Sequence, residues 1–219
     1  MFDLQVTEVR FFTPDIFELS LERGGYSFVP GECAVLFDET GDSRPYSIAS
    51  GTEEPVLRFL LRRFSGGALS NWLAERTVGE SVRVSPSFGE FRTADATGPV
   101  VFVATGVGIS PFLSALRSRT FTPDSVHCLY GVRCLDDVVT VPTLRNRVDL
   151  RLAVSREEAE DHFCGRVTHL LETLELPENA DVYLCGCDEM IGDAFDLLRA
   201  RGVDPARIHT EVFFNSDKK

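Results

Sequence analysis

Residues Arg44 to Ser50 read RPYSIAS and set a cation, an aromatic ring and a hydroxyl in succession. A strand favours the Tyr and the Ile, but Pro45 removes a backbone donor, and Arg44 with two serines leaves no clean apolar face. Strand formation alone does not account for that choice. Farther on, in VATGVGISPF, Gly106 and Gly108 follow an apolar run and precede a helix expected to start at Pro111, where a missing N–H costs nothing. Glycines let the backbone approach an anion, and the free N–H groups and dipole of a first helical turn favour a pyrophosphate. Pro111 stands where G-x-G-x-x-G would have its third glycine, and a tight turn that binds nothing has the same signature. SGGALSNWL, Ser65 to Leu73, repeats the logic, with Gly66 and Gly67 leading into a short helix that carries Ser70 in its first turn. It is a second candidate anion site or simply a flexible helix entry.

These segments sit in two halves of different periodicity. Up to about Phe91 the chain consists of short, partly alternating runs such as LQVTEVRFF, IFELSLE, CAVLF, VLRFLLRRF and SVRVS, separated by turn formers such as Arg23-Gly24-Gly25 and Pro30-Gly31. That pattern predicts a small antiparallel barrel. From Pro99 onward, buried-type apolar runs (VVFVAT, VHCLYGV, DLRLAVS, DVYLCG) alternate with helix-like stretches (PFLSALRSR, VTHLLETLE, EMIGDAFDLLRARG), which predicts a parallel sheet with helices. The small polar stretch RTADATG, Arg92 to Gly98, marks the boundary. The expected fold has two domains, an N-terminal antiparallel Greek-key β-barrel over residues 1–95 and a C-terminal α/β Rossmann-like parallel sheet over 96–219.

The 219 residues, 43% of them apolar, suffice for a buried core in each half. A net charge of -12 argues against nucleic acid and against an anionic membrane surface. No run of eighteen apolar residues appears, and the acidic, polar start MFDLQVTEVRFF does not resemble a secretion signal. Cys33, Cys128, Cys134, Cys164, Cys185 and Cys187 form no CxxC pair, which fits reduced thiols in a cytoplasmic protein. His127, His162, His169 and His209 have no metal-binding spacing, and no metal is expected.

Taken together, the motifs resemble the ferredoxin-NADP reductase family. RPYSIAS is similar to its flavin motif, GGALS to its flavin-pyrophosphate helix, TGVGISPF to its nicotinamide-dinucleotide loop, VSRE to its ribose-phosphate strand end, YLCG to its nicotinamide-side strand and TEVF to its terminal motif. The six occur in family order across nearly the whole chain. The resemblance implies an FAD-binding barrel and an NAD(P)H-binding α/β domain. In it, Arg44 neutralises the FAD pyrophosphate, Pro45 stiffens the segment, Tyr46 stacks on the isoalloxazine and the Ser47 hydroxyl reaches flavin N5. Strand alternation turns Tyr46 and Ser47 to different sides, so the flavin would lie along the strand edge. Leu60, Leu61 and Arg62 line the ribityl and adenosine parts, and Gly67, Ala68, Leu69 and Ser70 hold the pyrophosphate, although Arg62 and Arg63 also suit a solvated face.

For the nicotinamide cofactor the resemblance carries over Thr105, Gly106, Val107, Gly108 and Pro111 as the dinucleotide loop, and Cys185, Gly186 and Glu211 as the nicotinamide surround. Ser47, Cys185 and Glu211 become the expected catalytic groups; Cys185 read alone would be an inert core thiol. Phe213 would cover the flavin until nicotinamide displaces it, in place of a terminal Tyr in the family, and the chain continues through Phe214 to Lys219. Ser155 and Arg156, with Arg166 as a second cation, suit a 2'-phosphate and favour NADPH over NADH, unless Arg156 spends its charge on Glu157, Glu158, Glu160 or Asp161. Glu32 stands where the family has Gln after Pro-Gly, and Ser85 where it often has Gly.

The cysteines match neither iron–sulfur arrangement found in relatives, so electrons would leave to a separate protein such as a ferredoxin or an oxygenase component. An acidic ferredoxin would need a basic patch such as Arg58, Arg62, Arg63 and Arg117. The alternatives are a free-flavin reductase, against which the intact GGALS argues, and an electron-transfer subunit of a larger oxygenase or dehydrogenase complex.

Overall fold

A computed structural model of the chain describes residues 1–96, 98–139, 147–158 and 160–212. Packing divides the chain into two units, Met1–Ala94 with Ser110–Thr120, and Asp95–Ile109 with Phe121–Lys219.

The first unit contains β1 (Phe2–Phe11), β2 (Ile16–Glu22), β3 (Cys33–Phe37), β4 (Ser43–Ser47), β5 (Val56–Arg62) and β6 (Ser81–Val84). They form an antiparallel sheet in the order β4-β3-β6-β1-β2-β5. Its two ends meet through an antiparallel bridge between Ile48 and Phe59, and the Ala49 N–H donates to the Arg58 carbonyl at 2.8 Å. This closes the sheet into a barrel. The return of β6 to lie beside β3, after β3, β4 and β5 have followed one another around the wall, is the Greek-key step. Alternate residues fill the interior, among them Leu4, Val6, Phe17, Leu19, Leu36, Phe59, Leu61, Val82 and Val84, and α1 (Ala68–Ala74) adds Leu69 and Leu73. The two departures from family sequence are absorbed locally. Glu32 accepts from the Val29 N–H at 2.9 Å, and the Ser85 hydroxyl oxygen accepts from the Val35 N–H at 2.9 Å.

The helix α2 (Ser110–Arg117) groups with this unit and is tied to it by a buried ion pair. Glu18 on β2 is 4% exposed, and its Oε2 receives two hydrogen bonds from the Arg117 guanidinium, each 3.1 Å; its Oε1 lies 3.0 Å from Arg58. Arg117 also donates to the Ala49 carbonyl at 2.8 Å, and Arg58 to Ser20 Oγ at 3.1 Å. Around this network, Ser114 Oγ donates to the Ser50 carbonyl at 2.8 Å and the Thr52 N–H donates to Ser118 Oγ at 3.0 Å. The suggested docking patch is therefore corrected. Arg58 and Arg117 are committed to a desolvated carboxylate and drop out of it, whereas Arg63 Nε donates to the neutral Asn71 Oδ1 at 3.3 Å and keeps its charge.

The second unit holds β7 (Val100–Thr105), β8 (Val126–Val132), β9 (Asp149–Val154), β10 (Phe163–Cys164), β11 (Asp181–Gly186) and β12 (Ile208–Val212), all parallel, in the order β10-β9-β8-β7-β11-β12. The helices α3 (Val167–Thr173) and α4 (Asp188–Ala200) pack Val167, Leu170, Leu171, Met190, Ile191, Ala194 and Leu198 against Val101, Val103, Leu129, Val182 and Leu184 of the sheet. From β7 the chain goes first to β8 on one side and later to β11 on the other. That reversal opens a crevice at the carboxyl ends of β7 and β11, where open α/β sheets bind ligands. Among the described residues no helix is long and apolar enough to cross a membrane.

Replacing Glu18 with Ala leaves Arg58 and Arg117 buried without their counter-charge, and is expected to cost about 3 kcal/mol or more of stability. Urea unfolding checks this; a loss below about 1 kcal/mol, the range of exposed pairs, would remove the network as the anchor of α2.

Candidate functional site

In the barrel, backbone pairing joins the end of β4 to β5 at Ile48–Phe59 and Ala49–Arg58, and among the described residues no ladder continues beyond that point. The seam is closed at one end and open at the other. Along one edge of the open part lie Arg44, Pro45, Tyr46 and Ser47, and along the other Leu60, Leu61 and Arg62, followed by the Gly66-Gly67 turn and α1. Alternation separates the two central residues as expected: Ser47 is buried, whereas Tyr46 is half-buried against the barrel core. Burial pushes the Tyr46 hydroxyl up to about 12, so the ring stays neutral across the physiological range. Arg44 is exposed and pairs with Asp42 at 2.7 Å. Ser50 bonds within the barrel, its Oγ accepting from the Arg58 N–H at 3.2 Å.

Gly66 has φ +89° with open space where a side chain would project, and at Gly67 a Cβ would meet Ser70 Oγ at 2.7 Å. Among the described residues the first-turn N–H groups of Ala68, Leu69 and Ser70 have no protein acceptor, as the first turn of any helix leaves them. A cation, a flat aromatic ring, a buried hydroxyl and unused N–H donors along one seam suit a dinucleotide with a flat ring system and a pyrophosphate.

At the carboxyl edge of the parallel sheet, Thr105 ends β7, a 3-10 turn spans Gly106–Ile109, and Cys185 and Gly186 end β11. The two strand ends interlock. A Cβ on Gly108 would lie 2.4 Å from the Cys185 carbonyl oxygen, and one on Gly186 (φ +151°) would lie 2.1 Å from Thr105 Oγ1. Thr105 Oγ1 in turn accepts from the Cys187 N–H at 3.2 Å. The need for glycine at 108 is thus explained by backbone packing, while Gly106, at φ +54° with nothing near its missing Cβ, leaves open space of the kind a ligand needs. Val107 is half-buried in the same turn, and Pro111 lies buried in α2, which begins one residue earlier than expected, at Ser110. Cys185 is fully buried, directly opposite Glu211 across β11–β12, with Sγ 3.9 Å from the Glu211 carboxylate.

Ser155 and Arg156 follow β9, two strands from β7, and continue its ladder: their N–H groups donate to the Val132 and Arg133 carbonyls at 3.1 and 2.9 Å. Both side chains are exposed. Among the described residues Arg156 makes no ion pair, and Glu157 is used instead by the Leu135 N–H. Arg166 is paired with Glu189 at 2.7 Å on the surface, and Arg133, not singled out in the sequence, lies beside Arg156 in the ladder. Phe213 and the residues after it lie outside the described residues.

Comparison with known proteins agrees with this geometry. Residues 102–196 match the oxidoreductase NAD-binding domain. The chain is 31% identical, over 96% of its own length and 68% of the relative's, to the ferredoxin–NAD(P)+ reductase component of the naphthalene 1,2-dioxygenase/salicylate 5-hydroxylase systems of a Ralstonia species. It belongs to the ferredoxin-NADP reductase family. Another family relative, the reductase component of propane 2-monooxygenase from Rhodococcus jostii, is 30% identical over 95% of this chain and 62% of that protein, so the chain spans about two thirds of these relatives' lengths. The family fold is evident in a ferredoxin NADP+ reductase from Neisseria gonorrhoeae with bound FAD and NADP, which superposes with a TM-score of 0.86 at 21% identity, covering 97% of this chain and 98% of that one.

The interlock makes a graded expectation. Gly106→Ala costs about 1 kcal/mol for a left-handed backbone, and Gly108→Ala about 3 kcal/mol through overpacking on a carbonyl that cannot withdraw. Thermal unfolding of the two variants checks the order; equal losses would remove the packing explanation.

Proposed function

We propose that the chain is an FAD-containing NAD(P)H oxidoreductase that takes hydride from NADPH and passes electrons singly to a separate protein, a ferredoxin or an oxygenase component. The carrying observation is the open β4–β5 seam, bordered by Arg44, Tyr46 and Ser47 on one side and by the α1 donors on the other. In this reading residues 1–95 are the FAD-binding domain and 96–219 the NAD(P)H-binding domain. Bound FAD would supply the conversion between two-electron and one-electron chemistry. Arg44 turns from Asp42 to the pyrophosphate, which the N–H groups of Ala68, Leu69 and Ser70 also hold, with Gly67 letting the chain pass close by. Tyr46 covers one ring face, Leu60, Leu61 and Arg62 line the flank, and Ser47 holds a hydroxyl proton at N5.

In the other domain Thr105, Gly106, Val107 and Gly108 receive the nicotinamide dinucleotide, with Pro111 setting the helix start, while Cys185 and Gly186 flank the nicotinamide and Glu211 positions or passes a proton. Phe213 is assigned the covering role. Ser155 and Arg156, joined by Arg133, select the 2'-phosphate, and the exposed Arg156 supports NADPH over NADH. Six cysteines outside any disulfide support a reducing, cytoplasmic location. That both relatives are reductase components of oxygenase systems favours a second reading, a subunit that works only within such a complex.

An anaerobic visible spectrum of the purified protein, followed during additions of NADPH and then NADH to a fresh sample, tests the proposal. Flavin absorbance at the outset that NADPH bleaches faster is the expected result; a yellow protein that neither nucleotide bleaches would refute it. Ferricyanide reduction by the isolated chain separates the enzyme from the dependent subunit. Arg156→Ala is expected to cut the preference for NADPH by roughly ten-fold, the worth of one charge-assisted hydrogen bond, and Ser47→Ala to slow bleaching by roughly a hundred-fold.

A further inference from the structure

Ser47 has a partner that the reaction as described does not use. Cys33 stands directly opposite it on β3, and the two side chains meet with Sγ 3.6 Å from Oγ. Ser47 is 3% exposed and Cys33 half-buried, so the contact is largely shielded from water. The Cys33 backbone groups are both used on one side of its strand. Across β4 it pairs with Ser47, and towards the β6 side its N–H donates to the Phe88 carbonyl at 2.8 Å and its carbonyl accepts from the Phe88 N–H at 3.0 Å. Cys33–Ser47 is therefore the non-hydrogen-bonded kind of antiparallel pair, in which the facing side chains come closest.

A serine hydroxyl has one proton and two lone pairs, and its proton rotates to suit its surroundings. Either group can donate in this contact; with the thiol as donor, its proton occupies one lone pair, removes that freedom and turns the hydroxyl proton away from β3. The thiol is a weak donor, so it biases the hydroxyl without competing with a stronger acceptor placed before it. We propose that Cys33 is a positioning residue that orients the Ser47 hydroxyl for the flavin. The inference rests on the assignment of Ser47 to N5 made above. It adds a residue that the RPYSIAS motif does not contain, supplied by the neighbouring strand through register alone.

The experiment compares wild type, Cys33→Ala, Cys33→Ser, Ser47→Ala and the double alanine variant. One readout is the rate at which NADPH bleaches the bound flavin. The other is the infrared S–H stretching band of Cys33 in flavin-free protein, isolated by subtracting the Cys33→Ala spectrum. Cys33→Ala is expected to slow bleaching by about five-fold at unchanged KM for NADPH, the worth of one neutral hydrogen bond. Cys33→Ser, which restores a small donor, should recover most of that rate. In the Ser47→Ala background the Cys33→Ala change should add nothing, and Ser47→Ala should shift the S–H band. If Ser47→Ala slows bleaching while Cys33→Ala does not, or if the serine variant fails to recover the rate, Cys33 has no positioning role and the assignment of Ser47 stands. An unshifted S–H band likewise rejects the contact. Unchanged bleaching in Ser47→Ala overturns both together.

Discussion

A carboxylate removed from water must be answered by positive charge, and Glu18 imposes that condition on the barrel. Its desolvation costs several kcal/mol unless cations reach it, and the two that do come from different places. Arg58 arrives through the β2–β5 register, where it sits opposite Ser20. Arg117 arrives from a helix 99 residues along the chain. The barrel therefore cannot complete its buried polar layer without α2, and the loop from Ala49 to Thr52 is pinned by the same contacts. A Cβ on Gly51 would lie 2.6 Å from the Arg117 carbonyl oxygen, so the loop and the helix end approach backbone to backbone.

The parallel sheet relies on shape where the barrel relies on charge. Its two central strands end in glycine-dependent contacts, Gly108 on the Cys185 carbonyl and Gly186 against Thr105, and the threonine hydroxyl joins them through the Cys187 N–H. Side chains are excluded from the contact by distance alone, which fixes the turn after β7 without a hydrophobic plug. The open side at Gly106 and the rigid side at Gly108 lie two residues apart. A ligand-facing surface and its support are thus built from one tetrapeptide.

Much of this was legible because periodicity follows packing. IFELSLE, CAVLF and VVFVAT became β2, β3 and β7 as read, and the helical stretches became α2, α3 and α4, since each has an apolar face that must be buried. Within β2, however, alternation assigns Glu18 and Ser20 to solvent, and both are buried, because a helix distant in sequence covers that face. The same covering took Arg58 and Arg117 out of the surface. The two-residue strand β10 carries too few positions for any period. Within the site, RPYSIAS, GGALS and TGVGIS were visible as local strings, but the contact of Cys33 with Ser47 and the proximity of Arg133 to Arg156 arise from strand register. Register depends on partners a local reading does not see.

The partly open seam between β4 and β5 has a consequence for assembly. A barrel protects its strands by having no edges, and here, among the described residues, no ladder joins the two edges beyond Ile48 and Phe59. Another chain's strand could add to them as readily as a cofactor could lie between them. A molecule seated along that seam would therefore cover strand edge as well as equip the protein for chemistry.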